Sequence, residues 1–273
     1  MTTQSEKGRI FRALHERDHA FVIPNPWDVG SAKLLAQLGF EALATTSAGF
    51  AFSVGQQDNC VNRDQMMTHL AAITEATDLP VSADLGNGFG DAPDVVVETI
   101  NRAAAAGVVG GSIEDASGRV DEPIYPIELA AERIRAAVEA CRALPFQFTL
   151  TARAENYLWG KPNLRDTIKR LQVYQDAGAD VLYAPGLTST EDIRGVVNSL
   201  ERPVNVLMGL KGMQLSVDEV SDMGAKRISV GSALARAAMG AFVSAAREMR
   251  EKGTFSFAND AISFGEINAM FQR

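Results

Sequence analysis

The sequence predicts a (β/α)8 TIM barrel, and two features of the 273-residue chain support this prediction. Short apolar runs alternate with longer amphipathic segments, which is typical of repeated βα units around a parallel sheet. Eight such runs can be counted, and eight βα units in about 250 residues match a closed barrel. The predicted strands are residues 21–24, 42–46, 81–85, 111–115, 147–153, 181–185, 204–208 and 227–230.

Glycines and caps divide the chain at the positions that this fold requires. Asn163 is a suitable N-cap for a predicted helix over residues 164–177, and Gly178 follows it. A glycine also precedes other predicted strands, as expected for left-handed C′ residues. No linker or low-complexity tract interrupts residues 1–273, so we expect one barrel domain. A doubly wound sheet would need a GxGxxG turn after the first strand, where the chain has NPWDVGSA.

Composition excludes several classes of function. The chain has 26 Lys and Arg against 34 Asp and Glu, and no basic tail, so we expect no nucleic-acid partner. Its N-terminus is charged rather than apolar, and no run reaches the roughly 20 apolar residues of a membrane span. Two cysteines cannot form a disulfide framework. We therefore expect a cytoplasmic protein without a membrane partner.

Acidic residues end several predicted strands. In a (β/α)8 barrel the active site lies at the carboxyl ends of the strands. Two or three carboxylates meeting there would repel one another unless a cation neutralised them, and hard oxygen ligands suit Mg²⁺ or Mn²⁺. Asp84 and Glu114 are the predicted metal residues, with Asp84 bound directly and Glu114 and Asp58 acting through water. The opposing interpretation is that such acids cap helices or pair with basic residues, and it applies most strongly to Asp28 and Asp115.

Arg153 ends the fifth predicted strand beside these acids. Its guanidinium could hold a substrate carboxylate in a two-pronged contact. It could instead form an internal salt bridge to Glu155 or Glu114. Histidine chemistry is disfavoured because none of the three histidines ends a strand, and Cys60 has no histidine partner in view.

Seven segments, in order, resemble the isocitrate lyase and phosphoenolpyruvate mutase superfamily. They are IPNPWDVGSA, TTSAGFAFSVGQQD, SADLGNGFGD, GGSIEDASG, LTARAENYLWG, LYAPGL and RISVGSALARAA. The resemblance implies a (β/α)8 barrel with a C-terminal helix exchanged between subunits. It also implies a Mg²⁺ enzyme that cleaves or forms C–C or C–P bonds next to the carbonyl of small α-keto or 2-hydroxy acids.

The same resemblance assigns roles to particular residues. Ser47, Ala48 and Gly49 fall on the loop whose hydroxyl and N–H groups hold the substrate's carboxylate and keto oxygen. Asp58, Asp84 and Glu114 fall on metal-associated acids, and Arg153 falls on the substrate-anchoring arginine. A metal at the carbonyl and carboxylate oxygens would stabilise the enolate that forms when the neighbouring bond breaks.

Two positions depart from the family pattern. Gly86 stands two residues after Asp84, where the family usually has a second acid. Residues 115–122 (DASGRVDE) lack the Cys-containing run of the lyases and the Lys and Asn of the mutases and hydrolases. Arg119 is the candidate replacement group in this segment, and we expect residues 116–122 to form a mobile lid.

Three functions are consistent with these features. The first is a Mg²⁺-dependent lyase or decarboxylase acting on a small α-keto or 2-hydroxy dicarboxylate. The second is a phosphonate enzyme that acts on a C–P bond, and the third is a catalytically silent ligand-binding barrel.

The tail, residues 255–273, has apolar side chains at helical spacing, namely Phe257, Phe264, Ile267 and Phe271. We expect this tail to pack on a neighbouring subunit in a homo-dimer or homo-tetramer.

Overall fold

The computed structural model describes residues 2–272 and contains one sheet of eight parallel strands. This confirms the predicted barrel class: each strand lies inside its predicted range, except that β4 begins one residue earlier. The strands are β1 (Phe21–Ile23), β2 (Leu43–Ala44), β3 (Val81–Asp84), β4 (Gly110–Glu114), β5 (Thr149–Arg153), β6 (Val181–Tyr183), β7 (Val204–Leu207) and β8 (Arg227–Ser229).

The sheet is a nearly closed ring. Strands β2 to β8 pair in the order of the sequence and β8 pairs with β1, so the only gap in the ring of described strands lies between β1 and β2. Between β1 and β2 the Ala44 N–H donates to the Pro24 carbonyl at 3.0 Å, and the Asn25 side chain donates to the Thr45 carbonyl at 3.0 Å. The carboxyl ends of all eight strands therefore point to one face of the barrel.

Helices connect the strands in the predicted order. Helix α7 begins after Asn163, whose side chain accepts from the Asp166 N–H at 3.1 Å, as predicted. Within residues 2–272 no helix is both long and apolar enough to cross a bilayer. The helices are α1 (Gln4–His15), α2 (Val29–Gln37), α3 (Ser47–Ser53), α4 (Arg63–Glu75), α5 (Pro93–Ala105), α6 (Ile127–Ala143), α7 (Leu164–Asp176), α8 (Thr190–Asn198), α9 (Val217–Asp222), α10 (Ala233–Lys252) and α11 (Phe264–Phe271).

Helix α1 covers the amino-terminal face of the barrel. Its start is fixed by a capping box between Thr3 and Glu6, and Phe11 packs into the apolar base of the barrel. A side chain at Gly110 would lie 2.6 Å from the Phe11 ring, so only glycine permits this contact. The face opposite the strands' carboxyl ends is therefore sealed.

The C-terminal helices leave apolar surface uncovered. In α10 only Ala235 is buried, and the Phe242 side chain is 71% exposed. The tail is not one helix, because a 3-10 turn (Ser256–Asn259) and α11 are separate; its last residue, 273, lies outside the described residues. Helix α11 contacts α2 of the same chain yet buries none of its own residues, and Phe264 is 85% exposed.

Candidate active site

The carboxyl ends of the strands enclose a cavity of about 480 Å³, a size typical of small-molecule sites. It brings together most of the predicted site residues, which come from different strands and the loops that follow them. The polar and charged side chains of the lining include Asn25, Thr45, Thr46, Ser47, Asp58, Asn59, Ser82, Asp84, Ser112, Glu114, Arg153, Glu155, Trp159, Tyr183, Asn205, Arg227, Ser229, Ser232 and Arg236.

Arg153 is the hub of this cavity. Its guanidinium binds three carboxylates: Nη1 lies 2.9 Å from Asp84 Oδ1, Nη2 lies 3.2 Å from Glu114 Oε2, and Nε lies 2.8 Å from Glu155 Oε1. The guanidinium also lies over the Tyr183 ring, 5.2 Å from its centroid. The internal salt bridge considered for Arg153 is therefore present, and it joins the ends of β3, β4 and β5.

Ser47 binds the other oxygen of Asp84. Its N–H and its hydroxyl donate to Asp84 Oδ2 at 2.9 and 2.7 Å. The N-cap of α3, Thr46, fixes this turn by accepting from the Gly49 N–H at 3.2 Å. Ser47 and Ala48 line the cavity, whereas Gly49 is buried behind them.

Burial and mutual repulsion perturb the acids. Burial raises the pKa of Glu114 well above its ordinary value, and the positive charge of Arg153 offsets this only in part. Burial also raises the pKa of Glu155. Asp58 lies at the open mouth of the cavity, where desolvation and then the negative charge of Asp84 raise its pKa. Excess negative charge in a cleft of this kind is typical of functional sites.

The donor set fits a hard divalent cation. Within residues 2–272 no three His, Cys, Asp or Glu side chains converge closely enough to hold a metal without other ligands. Mg²⁺ commonly uses one or two carboxylates and several waters, so Asp84 could be a direct ligand while Glu114 and Asp58 act through water. Burial is the largest cause of the raised pKa values of Glu114 and Asp58, followed by the charges of neighbouring carboxylates, so a bound cation would favour the charged form of both acids.

Two acids that end predicted strands have structural roles instead. Asp28 caps α2 by accepting from the Ser31 N–H at 2.7 Å. Asp115 is buried and accepts from the Tyr174 hydroxyl at 2.6 Å and from Arg170 at 3.1 Å. It also accepts from the Glu155 N–H at 2.8 Å, so it supports the loop that carries Glu155.

The loop that carries Arg119 lies beside the cavity, and Arg119 is not among the lining residues. Its guanidinium forms an ion pair with Asp91 at 2.6 Å and lies over the Tyr125 ring. The Tyr125 hydroxyl donates to the other oxygen of Asp91 at 2.6 Å. The loop after β4 is thereby tied to the loop after β3, and the catalytic role of Arg119 stays a prediction.

The backbone of Gly86 has a conformation that glycine adopts readily. Its φ of +53° lies in the left-handed region, and a Cβ there would meet no atom within 4 Å. Its carbonyl accepts from the Glu114 N–H at 3.0 Å, which joins the metal-associated ends of β3 and β4. The missing family acid thus leaves open space beside Asp84.

Sequence reasoning missed the arginines on the β8 side of the cavity. Arg227 is buried and donates to Asn205 Oδ1 at 2.9 Å, while its Nη1 has no partner among the described residues. Burial lowers the pKa of Arg227 to about 10. Arg236 lies in the first turn of α10. The only signal in the sequence was the position of both residues around the last predicted strand, in RISVGSALARAA.

Comparison with known proteins adds three relatives and one family. The sequence profile of the phosphoenolpyruvate phosphomutase family matches residues 11–250. A crystal structure from Burkholderia cenocepacia J2315, provisionally described as a lyase or mutase, has a TM-score of 0.96 and 61% identity over 99% of this chain and 97% of its own. The 2-methylisocitrate lyase of Salmonella typhimurium strain LT2 is 30% identical over 72% of this chain and 68% of its own. Oxaloacetate acetylhydrolase, solved with its product oxalate, has a TM-score of 0.87 and 26% identity over 99% of this chain and 95% of its own.

The barrel and its acidic cavity, with these relatives, define an enzyme of the lyase or mutase class. The family profile covers most of the described chain. The chain belongs to the phosphoenolpyruvate phosphomutase family, within the isocitrate lyase/phosphoenolpyruvate mutase superfamily, as its motifs predicted.

Proposed function

We propose that this protein is a Mg²⁺-dependent lyase, or a Mn²⁺-dependent one, that breaks a C–C bond next to the carbonyl of a small α-keto or 2-hydroxy carboxylate. The observation that carries the proposal is the convergence of Ser47, Arg153, Asp84 and Glu114 on one cavity wall. Relatives with C–C cleaving names, 2-methylisocitrate lyase and oxaloacetate acetylhydrolase, support this class of reaction.

Asp84 would hold the cation directly, with Glu114 and Asp58 acting through water. The cation would neutralise negative charge that develops on the substrate's carbonyl oxygen. The Ser47 N–H, the Ser47 hydroxyl and Nη1 of Arg153 now donate to Asp84, and they would turn to the substrate carboxylate once the oxygens of Asp84 hold the cation. Arg153 ends β5 and Ser47 begins α3, so the barrel fixes the backbone of both donors beside the reacting carbon.

Asp58 is the proposed proton acceptor. Its raised pKa brings its proton exchange closer to neutral pH, which favours general acid and base catalysis. With a 2-hydroxy acid, Asp58 takes the hydroxyl proton while the adjacent C–C bond breaks and leaves its electron pair on the departing carbon. Asp58 then returns this proton to the departing carbon, so atoms and charge balance and the Asp58 carboxylate is restored. Residues 116–122 would close over the cavity during this step and bring Arg119 toward the developing charge.

The experiment is turnover of a panel of α-keto and 2-hydroxy acids with three to six carbons, with Mg²⁺, followed by detection of both fragments. Asp84→Asn is the matched variant, because it keeps the side-chain shape and removes the charge. We expect one substrate class to be cleaved by the parent and not by Asp84→Asn. Oxalate binding without turnover of any acid would instead support the silent ligand-binding barrel.

A phosphonate enzyme is the second candidate. The matching family profile is that of a phosphomutase, whose chemistry is at a C–P bond. In this reaction Arg153 or Arg119 would bind the phosphonyl group. Release of phosphate or formation of a rearranged ester from phosphonopyruvate would support it, and an inert phosphonopyruvate would exclude it.

We also propose a cytoplasmic homo-dimer or homo-tetramer in which C-terminal helices are exchanged. The exposed Phe242 and Phe264 side chains support this assembly, because apolar surface of this kind is normally buried in an interface.

A further inference from the structure

A second cavity, of about 510 Å³, opens beside helix α1 on the amino-terminal side of the barrel. It lies between the end of α1, the end of α6 and the segments that lead into β5, β6 and β7, and we call it the basal cavity. No residue lines both the basal cavity and the candidate active site, which lies at the opposite ends of the strands. The basal cavity is therefore a separate space, of a size typical of small-molecule sites.

Three arginines line the basal cavity, namely Arg12 of α1, Arg142 of α6 and Arg202 before β7. Arg12 is already paired, with its Nε 3.2 Å from Glu16 Oε1. Neither Arg142 nor Arg202 takes part in an ion pair within residues 2–272. Both are exposed residues, so an anion in solution can reach their guanidinium groups.

The backbone before β6 brings these arginines together. A Cβ at Gly178 would lie 3.1 Å from Arg142 Nη2, so the guanidinium packs closely over this glycine. Two residues further on, the Asp180 carboxylate accepts from the Leu150 N–H at 2.9 Å. Burial raises the pKa of Asp180, and the positive charges of the three arginines oppose this increase. The three guanidinium groups therefore surround one carboxylate that the start of β5 holds in place.

The basal cavity has an excess of positive charge. Asp180 and Glu16 offset two of its three arginines, and burial keeps His15 neutral by lowering its pKa to about 3. One positive charge remains, in a chain whose formal net charge is −8. Such a local reversal of sign favours an anionic ligand at this position over the rest of the surface.

One buried polar atom of the lining also lacks a protein partner. His15 is 5% exposed, and its Nδ1 lies 2.8 Å from the Phe11 carbonyl oxygen, which can only accept. The ring proton therefore belongs on Nδ1, and Nε2 is left as an acceptor without a partner among residues 2–272. A hydroxyl group of a ligand, or a water bound with it, would satisfy this atom.

Much of the remaining lining is apolar. An inorganic anion would fill only part of about 510 Å³ and would leave these side chains in contact with water. A ligand with an organic portion would bury them as well, and this burial stabilises a complex. The apolar side chains are Val138, Phe146, Phe148, Val181 and Pro203.

We propose that the basal cavity binds a phosphate monoester, with its phosphoryl group at Arg142 and Arg202 and its organic portion against the apolar lining. This inference is independent of the reaction proposed above. A phosphoryl group has three terminal oxygens and up to two negative charges, so it can accept from two guanidinium groups at once. A carboxylate, with two oxygens and one charge, matches a single fork.

The test measures binding by calorimetry without added metal. The probes are phenyl phosphate, glycerol 3-phosphate, ribose 5-phosphate, inorganic phosphate and benzoate. We expect at least one ester to bind about ten-fold or more tightly than inorganic phosphate, and phenyl phosphate to bind more tightly than benzoate, which has the same ring but a carboxylate. Arg142→Gln and Arg202→Gln should each weaken ester binding by about ten-fold or more.

Two further variants serve as controls. Arg135→Gln removes a positive charge from an exposed position of the same helix as Arg142 and should leave ester binding unchanged. Arg142→Lys keeps the charge and should retain part of the affinity. Denaturant unfolding checks that each variant is folded as the parent is.

Three results would overturn the inference. The first is that no ester binds the parent protein at millimolar concentration. The second is ester affinity that is unchanged in both Arg142→Gln and Arg202→Gln, because the ester is then held elsewhere, for example at Arg153. The third is inorganic phosphate that binds as tightly as every ester, because the cavity would then hold a bare anion.

Discussion

Nη1 of Arg153 lies 2.9 Å from Oδ1 of Asp84, so the expected substrate-anchoring arginine is bound to the expected metal ligand. The same guanidinium reaches Glu114 and Glu155, and all four side chains are largely buried. Loss of the Arg153 charge would be costly, because it would leave three carboxylates without a counter-charge in a low-dielectric cavity. Arg153 therefore stabilises the acidic wall formed by Asp84, Glu114 and Glu155. A metal would compete with Arg153 for these carboxylates, and a substrate carboxylate would compete with them for the guanidinium.

The first prediction concerns the shape of the guanidinium. In Arg153→Lys a single ammonium group replaces a fork that meets three carboxylates, so at least one acid loses its partner. We expect the free energy of unfolding to fall by about 1–3 kcal/mol. Turnover of the substrate found for the parent should fall by about 100-fold or more. Denaturant unfolding and steady-state kinetics measure the two effects.

Arg17→Lys is the matched control for this variant. Arg17 forms a two-pronged pair with Glu41, at 2.7 Å for both contacts, but this pair is half-exposed on the surface. Solvent screening limits such a pair to about 0–1 kcal/mol. Equal losses of stability in the two variants would show that Arg153 has no special role in the acidic wall.

The second prediction restores the missing acid. Gly86 has a φ of +53° and open space around its Cβ direction, and Asp tolerates this backbone better than most residues. Gly86→Asp should tighten Mg²⁺ or Mn²⁺ binding by about ten-fold, through an added acceptor near Asp84. Gly86→Asn controls for the backbone change without the charge. An affinity for metal in Gly86→Asp no higher than in Gly86→Asn would place this side chain outside the metal's surroundings.

The third prediction concerns pH and the base of the barrel. His15 is buried between the Phe11 and Phe21 rings, and burial lowers its pKa to about 3. Between pH 6.5 and 3 the unfolded chain binds a proton here that the folded chain does not, so folding stability falls as pH falls through this window. The slope is at most about 1.4 kcal/mol per pH unit for this group.

His15→Gln should therefore flatten the loss of stability between pH 6 and pH 4, although it lowers stability at pH 7. His19→Gln, at an exposed position on the same connection, should leave the slope as in the parent. Unfolding curves in denaturant at several pH values give both slopes. If the slopes of parent and His15→Gln agree, protonation of His15 does not limit stability in acid.

The fourth prediction concerns the loop of residues 116–122. Val120 at its tip is 91% exposed, and Arg119 is held by Asp91. We expect rapid amide hydrogen exchange in this loop, slowed when Mg²⁺ and oxalate are added. Asp91→Asn should speed exchange in the free protein because it weakens the ion pair. Exchange that is equally slow with and without ligand would argue against a lid.

The fold followed from patterns that are local in sequence. Apolar runs, a capping asparagine before α7 and glycines such as Gly178, with its φ of +103°, mark where each unit begins and ends. Strand β2 ends earlier than predicted, because the Thr45 carbonyl accepts from the Asn25 side chain and Thr46 caps the Ser47 turn by accepting from the Gly49 N–H. Such a change depends on the partner of each polar group, which periodicity does not report.

The fold alone predicted the site residues that end strands, whereas Ser47 and Asp58, which lie beyond β2, were predicted from the family motif. Asp84, Glu114 and Arg153 end strands, so the barrel alone brings them together. Arg236 lies one helical turn beyond β8, and its place in the cavity depends on how Ala235 packs near Gly49. Arg119 was expected over the cavity, but the structure pairs it with Asp91 because a lone arginine on a loop takes the nearest carboxylate.

The last prediction concerns assembly. Phe242 is exposed on α10 and Phe264 on α11, and burying large apolar side chains of this kind is worth roughly 1.5–3 kcal/mol each. Phe242→Glu should leave the barrel folded, because that side chain contributes little to its own subunit, and should shift the particle toward a monomer. Removal of residues 255–273 should also shift the particle toward a monomer, and it should lower thermal stability.

Val217→Glu, at an exposed apolar position on α9, is the control that should leave the mass unchanged. Sedimentation at micromolar concentration measures the mass: if the parent protein sediments as a single 29.3 kDa species, these helices do not join subunits and the exposed phenylalanines need another partner.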